Sequence, residues 1–118
     1  MKILVAEDEP IMQKTIALRL KKDGHDVITT DNGREALALI ATENPDLVIT
    51  DIMMPYASGL EIVGSIRSSG KKLPVIVLTA MGQENVVLEA FQLGADDFIA
   101  KPFSPNELSM RVKRLMVR

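Results

Sequence analysis

The chain contains no cysteine, which excludes a disulfide scaffold, a thiolate zinc site and a cysteine nucleophile, and leaves the redox compartment open. Histidine is almost as scarce: the single one, His25, follows Gly24 in a turn-like stretch and is expected at the solvated surface without a chemical role. Charge of one sign is lacking too. Fourteen basic against 16 acidic residues leave a net charge of -2, and no global field recruits nucleic acid or an anionic membrane. The opening stretch MKILVAEDEP has one lysine and a short apolar run before its acids, too little for a signal peptide or a membrane span, so a cytoplasmic protein is expected. There is no internal repeat, low-complexity tract or linker. With 118 residues, 47% hydrophobic and 25% charged, the chain reads as one autonomously folding domain, 1–118.

What is present is an alternation. Short β-branched runs, KILVA (2–6), DVITT (26–30), DLVIT (46–50), PVIVLT (74–79) and DFIA (97–100), predict five strands. Segments of helical length lie between and after them. The first, 10–22, repeats Met12, Ile16 and Leu20 on one face, starts at Pro10 and stops at Gly24. The second, 33–43, takes Asn32 as its cap, turns Ala36, Leu37 and Ile40 inward and ends at Asn44-Pro45. Helices over 59–68, 83–93 and 104–117 complete the set, the last opened by a capping box of Ser104, Pro105 and Glu107. Strands joined through helices must run parallel, and strands without in/out alternation are covered on both faces. The expected fold is therefore α/β, a (βα)5 doubly wound five-stranded parallel sheet.

In such sheets ligands bind beyond the carboxyl ends of the strands. Four of the five predicted strands deliver a polar or charged group to that edge: Glu7, Asp8 and Glu9 after the first, Asp51 after the third, Thr79 at the fourth and Lys101-Pro102 after the fifth. Crowded carboxylates raise one another's pKa unless a cation sits among them. An oxygen-only donor set without His or Cys favours a hard ion, and magnesium suits a few carboxylates, waters and a phosphate. Glu7, Asp8 and Asp51 carry three negative charges; a divalent ion and Lys101 supply three positive ones. A neutral pocket is one that an anionic phosphoryl group can approach, and a carboxylate can serve there as nucleophile.

The ordered set VAEDEP, VITDIMMP, VIVLTA and GADDFIAKPF resembles the receiver domain of bacterial two-component response regulators over essentially the whole chain. The resemblance implies the flavodoxin-like strand order 2-1-3-4-5. It implies Asp51 as the phosphorylation site, loaded by a sensor histidine kinase or phosphotransfer protein. Mg2+, with Mn2+ as a substitute, would be held by Glu7, Asp8, Asp51 and the backbone carbonyl of Met53. Thr79 and Lys101 would contact the phosphoryl oxygens, Thr79 and Phe98 would act as the switch pair, and the Lys101-Pro102 bond would be cis, against about 5% of X-Pro bonds in general. Phosphorylation would bias the surface formed by the fourth helix, fifth strand and fifth helix, which controls an output domain or partner protein. Such a chain assists its own phosphorylation and dephosphorylation without a separate turnover substrate.

The final stretch most resembles receivers of winged-helix DNA-binding regulators, in which residues matching Asp96, Asp97, Glu107, Arg111 and Arg118 pair across a phosphorylation-promoted homodimer. Phe98 lacks a hydroxyl, and Val87 stands where that subgroup tends to carry a basic residue. Met54 reads as a packing residue. Met53 and Met81, two positions beyond Asp51 and Thr79, stand where the family tunes hydrolysis of the phosphate, and neither thioether can orient a water. Tyr56, beside Pro55, is read as a surface residue. Two rival readings differ in class: a receiver-like interaction module that is never phosphorylated, and a metal-dependent phosphohydrolase acting through Asp51. The second lacks an obvious general acid near the nucleophile.

Overall fold

The computed structural model describes residues 1–116; Val117, the expected end of the last helix, and the candidate dimer residue Arg118 lie outside the described residues. Strands β1 (Lys2–Ala6), β2 (Asp26–Thr30), β3 (Leu47–Asp51), β4 (Val75–Thr79) and β5 (Asp97–Ala100) alternate with helices α1 (Pro10–Lys22), α2 (Gly33–Glu43), α3 (Gly59–Ser68), α4 (Glu84–Leu93) and α5 (Pro105–Met116). Every strand pair is parallel, and the order across the sheet is β2-β1-β3-β4-β5. This is the flavodoxin-like doubly wound order, with its switch point between β1 and β3.

Alternate strand residues feed two cores. Leu4, Val48, Val75 and Val77 pack with Ala36, Ile40, Ile62, Ile66 and Ala90 of α2, α3 and α4. Ile3, Val5, Ile49, Ile76, Leu78 and Ile99 pack with Ile16, Leu20, Leu108 and Val112 of α1 and α5. The central strands β3 and β4 are buried at all five positions, which is why their sequences run apolar without alternation. Burying each large aliphatic side chain contributes roughly 1.5–3 kcal/mol, so the two cores fix the register of every strand end.

The strand limits refine the sequence reading. β3 begins at Leu47 and includes Asp51, which sits opposite Leu78, and Ile52 N–H continues the ladder to Leu78 O at 3.0 Å. Asp46 stays outside because its carboxylate accepts the Lys2 N–H at 2.8 Å. Pro74, without an N–H, precedes β4 but supplies its carbonyl to Val48. Asn32 and Ser58 cap α2 and α3 by accepting the N–H of Glu35 and Glu61. The expected capping box of α5 is half formed: Ser104 Oγ accepts the Glu107 N–H, while the Glu107 carboxylate reaches Arg111 at 3.4 Å. Gln83 precedes α4 as its cap residue rather than forming part of it. His25 is half-buried rather than solvated, with Nδ1 3.2 Å from the Met1 amino nitrogen.

Candidate functional site

Parallel strands bring their carboxyl ends to one edge, and the polar residues predicted for that edge meet there. Glu7 follows β1 and is fully buried; Asp8, next along, is exposed. Asp51 ends β3 and is 8% exposed. One carboxylate oxygen from each of the three lies within 4.8 Å of the others. Lys101, just past β5, donates from Nζ to Glu7 Oε1 at 2.6 Å and to Asp51 Oδ2 at 2.8 Å. The second Asp51 oxygen accepts the Met53 N–H at 3.1 Å. The Lys101-Pro102 peptide bond is cis.

Burial pushes the Glu7 carboxyl up to about 7; the Lys101 ammonium and the Glu9 amide pull it partly back, and the neighbouring Asp51 adds to the rise. Burial alone would favour the neutral amine of Lys101, but the hydrogen bonds and charges of Asp51 and Glu7 outweigh it and hold the ammonium above its ordinary value. One ammonium thus serves two buried carboxylates, while Asp8 extends the negative charge toward solvent. The donor set is oxygen only and partly solvated, which fits a hard divalent cation that keeps several waters.

Thr79 ends β4 and is 4% exposed. With Met81, Gln83, Val87, Phe98 and Lys101 it lines a cavity of about 340 Å3 at the first turn of α4. Phe98 is half-buried, meets the Phe91 ring edge-on with centroids 5.8 Å apart, and lies 6.0 Å from the Arg111 guanidinium carbon. Met54 packs against the core, whereas Met53 and Met81 are exposed. Tyr56 is exposed, has φ +71°, and carries the Arg34 guanidinium 5.0 Å from its ring centre.

Three placements were not legible in advance. Glu9, read only as following the first strand with Glu7 and Asp8, caps α1, accepting the N–H groups of Ile11 and Met12. Its signal was Pro10, since a proline at the first helical position makes the preceding residue the cap. Gln13 was missed: its amide donates to the carbonyls of Glu7 and Thr30, both at 2.9 Å, and holds the acidic loop against β2. The candidate dimer acids make intrachain pairs. Asp96 bonds Arg67 at 2.8 Å, and buried Asp97 pairs with Arg111 at 2.8 Å and Arg114 at 3.5 Å.

Open α/β sheets of this doubly wound class bind ligands at the switch point, and here that place is an acidic cleft closed by one lysine. The family model described as response regulator receiver domain matches residues 3–113, and the chain belongs to that family. It is 40% identical over 117 residues to the alkaline phosphatase synthesis transcriptional regulatory protein PhoP of Bacillus subtilis, covering 99% of this chain and 49% of that protein. The chain thus spans about half the length of the curated relatives it matches. Among solved structures it is similar to the receiver domain of NtrX from Brucella abortus, with TM-score 0.92, 32% identity, and 98% and 99% of the two chains covered. It is also similar to the Francisella response regulator 1452 receiver domain, with TM-score 0.89, 37% identity, and 97% and 94% covered. Among the described residues, no helix is long and apolar enough to cross a membrane.

Proposed function

We propose that Asp51 accepts a phosphoryl group from a histidine kinase or phosphotransfer protein, and that the modified site switches the surface formed by α4, β5 and α5. The observation that carries this reading is the Lys101 ammonium bridging Glu7 and Asp51, with Asp8 completing a three-carboxylate cleft. An Asp51 oxygen attacks phosphorus, the new O–P bond forms as the donor's N–P bond breaks, and the donor imidazole leaves. Lys101 can follow the transferring group, because a single ammonium carries three donors. The Met53 N–H orients the carboxylate through Oδ1. Thr79, one strand over, offers a hydroxyl to a phosphoryl oxygen, and the cavity it shares with Phe98 leaves room for the ring to turn inward.

Glu7, Asp8, Asp51 and the Met53 carbonyl would hold Mg2+, which when bound neutralises charge on the phosphoryl oxygens. The 118 residues would form one receiver domain. Its output would be a further domain or a separate protein, as the relative's description as a transcriptional regulatory protein suggests. Dimerisation through Asp96, Asp97, Glu107, Arg111 and Arg118 would require the existing intrachain pairs to be shared or exchanged. Incubation with excess acetyl phosphate and Mg2+ tests the reading. One stable label with little phosphate release is expected; sustained phosphate release would identify a hydrolase, and no label a module independent of phosphorylation.

A further inference from the structure

The edge of the sheet opposite the acidic cleft is organised by one side chain. Arg67, in the last turn of α3, donates from Nε to Gly94 O at 3.0 Å, from Nη1 to Leu73 O at 2.7 Å and Lys71 O at 3.3 Å, and from Nη2 to Asp96 Oδ2 at 2.8 Å. The same Asp96 oxygen accepts the Val75 N–H at 2.8 Å, and the Asp96 N–H donates to Val75 O. One planar guanidinium therefore joins the end of α3, the approach to β4, the cap of α4 and the approach to β5. A lysine, with a single charged nitrogen, cannot span these acceptors. Gly94 closes α4 at φ +112°, and a Cβ there would stand 2.9 Å from Arg67 Cγ, so the helix end rests on the arginine stem.

The other end of α4 is held differently. Gln83 gives its helix no side-chain cap and instead accepts the Ala80 N–H. Met81, just before it, is 94% exposed, and the cavity lined by Thr79, Val87 and Phe98 opens at the first turn. Ala90, in the second half of the helix, is its one fully buried residue among those described. Val86 and Val87 pack half-buried against the core in the first half, so it is the polar ties and the one fully buried residue that are concentrated at the C-terminal end of a rod about 15 Å long.

We propose that Arg67 is a positioning residue that makes the C-terminal end of α4 a pivot, so that rearrangement at Thr79 swings the N-terminal half of the helix about Gly94. This rests on the reading of Asp51 as phosphoacceptor. Packed elements respond to a small local shift by moving as rigid pieces, and the piece moves where it is least tied. Asp96 in this arrangement serves the pivot through Arg67 and the Val75 amide, so engaging it in a second chain would loosen the clamp.

Hydrogen exchange read by mass spectrometry, with and without beryllofluoride and Mg2+, tests the pivot on the wild-type chain, Arg67→Met and Arg67→Lys. In the wild type the ligand-induced change is expected to be about threefold or more larger over residues 80–88 than over 90–96. In both variants it should spread into 90–96. A general loss of stability raises exchange with and without ligand alike, so the ratio reports the pivot rather than folding. Equal change at both ends of wild-type α4 overturns the proposal, and confinement to 80–88 in a folded Arg67→Met removes Arg67 from it. Should Arg67→Met not fold, Asp96→Asn removes the charged partner while keeping the carbonyl bonds, and the same ratio decides. An Asp51 that takes label from acetyl phosphate beside an equal response fails the pivot alone. No label and no response fail the acceptor reading, and the pivot with it.

Discussion

At the foot of the cleft, the fully buried Glu7 carboxyl shares the Lys101 ammonium with Asp51, and its value is pushed from 4.5 up to about 7. A raised acid stabilises the metal-free fold below its unfolded value of 4.5, and that contribution is lost as pH rises through about 7. A divalent cation takes only the ionised carboxylate, so metal and proton compete. Calorimetric Mg2+ titrations should show apparent affinity rising about tenfold from pH 6 to pH 8, with proton release at the lower pH; an affinity flat across that window would contradict the placement of Glu7 among the ligands. Met53 differs in kind: its amide is fixed on Asp51 Oδ1 while its side chain is 55% exposed and apolar. Met53→Asn would place a water-orienting amide there, and dephosphorylation should accelerate by up to roughly tenfold. An unchanged rate in a single-turnover decay would show that this side chain does not limit hydrolysis.

Among the elements, α3 is set by how closely its first residue approaches the acceptor strand. A Cβ on Gly59 would lie 2.6 Å from Asp51 O and 2.8 Å from Ile52 Cα, so Gly59→Ala must push the helix off the loop that carries Asp51. The expected cost is about 1–3 kcal/mol in urea unfolding, together with slower labelling by acetyl phosphate. Gly64→Ala, in the same helix with nothing within 4 Å of its Cβ, should instead stabilise by up to about 1 kcal/mol. If the two substitutions behaved alike, the close approach would not be what positions the acceptor loop. The existence of α3 was legible as a segment of helical length over 59–68, between two β-branched runs. The contact at Gly59 was not, because it joins a helix start to a strand end through backbone atoms. Of the EDE triplet, Glu7 and Asp8 were expected in the cleft and Glu9 was given no role; Glu9 caps α1, while Glu7 and Asp8 reach the cleft.

For the whole molecule, parallel strand direction converts a linear order of motifs into a site. Glu7, Asp51, Thr79 and Lys101 are far apart in the chain, but each follows or ends a strand, so the fold inferred from periodicity already placed them on one edge. What the sequence could not supply was the pairing at that edge, where one lysine is committed to two acids, or at the far end, where Arg67 gathers three carbonyls and Asp96. Charged residues of β5 and α5 were read through the resemblance as candidate dimer residues, and their pairing within the chain has no signature in the sequence. Asp97 is buried against Arg111. The most direct test of the whole arrangement is the intact mass of the native chain and of Asp51→Asn after incubation with acetyl phosphate and Mg2+. One phosphoryl adduct on the native chain and none on Asp51→Asn is the expected result; an adduct that persists in Asp51→Asn would contradict the assignment of Asp51 as the acceptor.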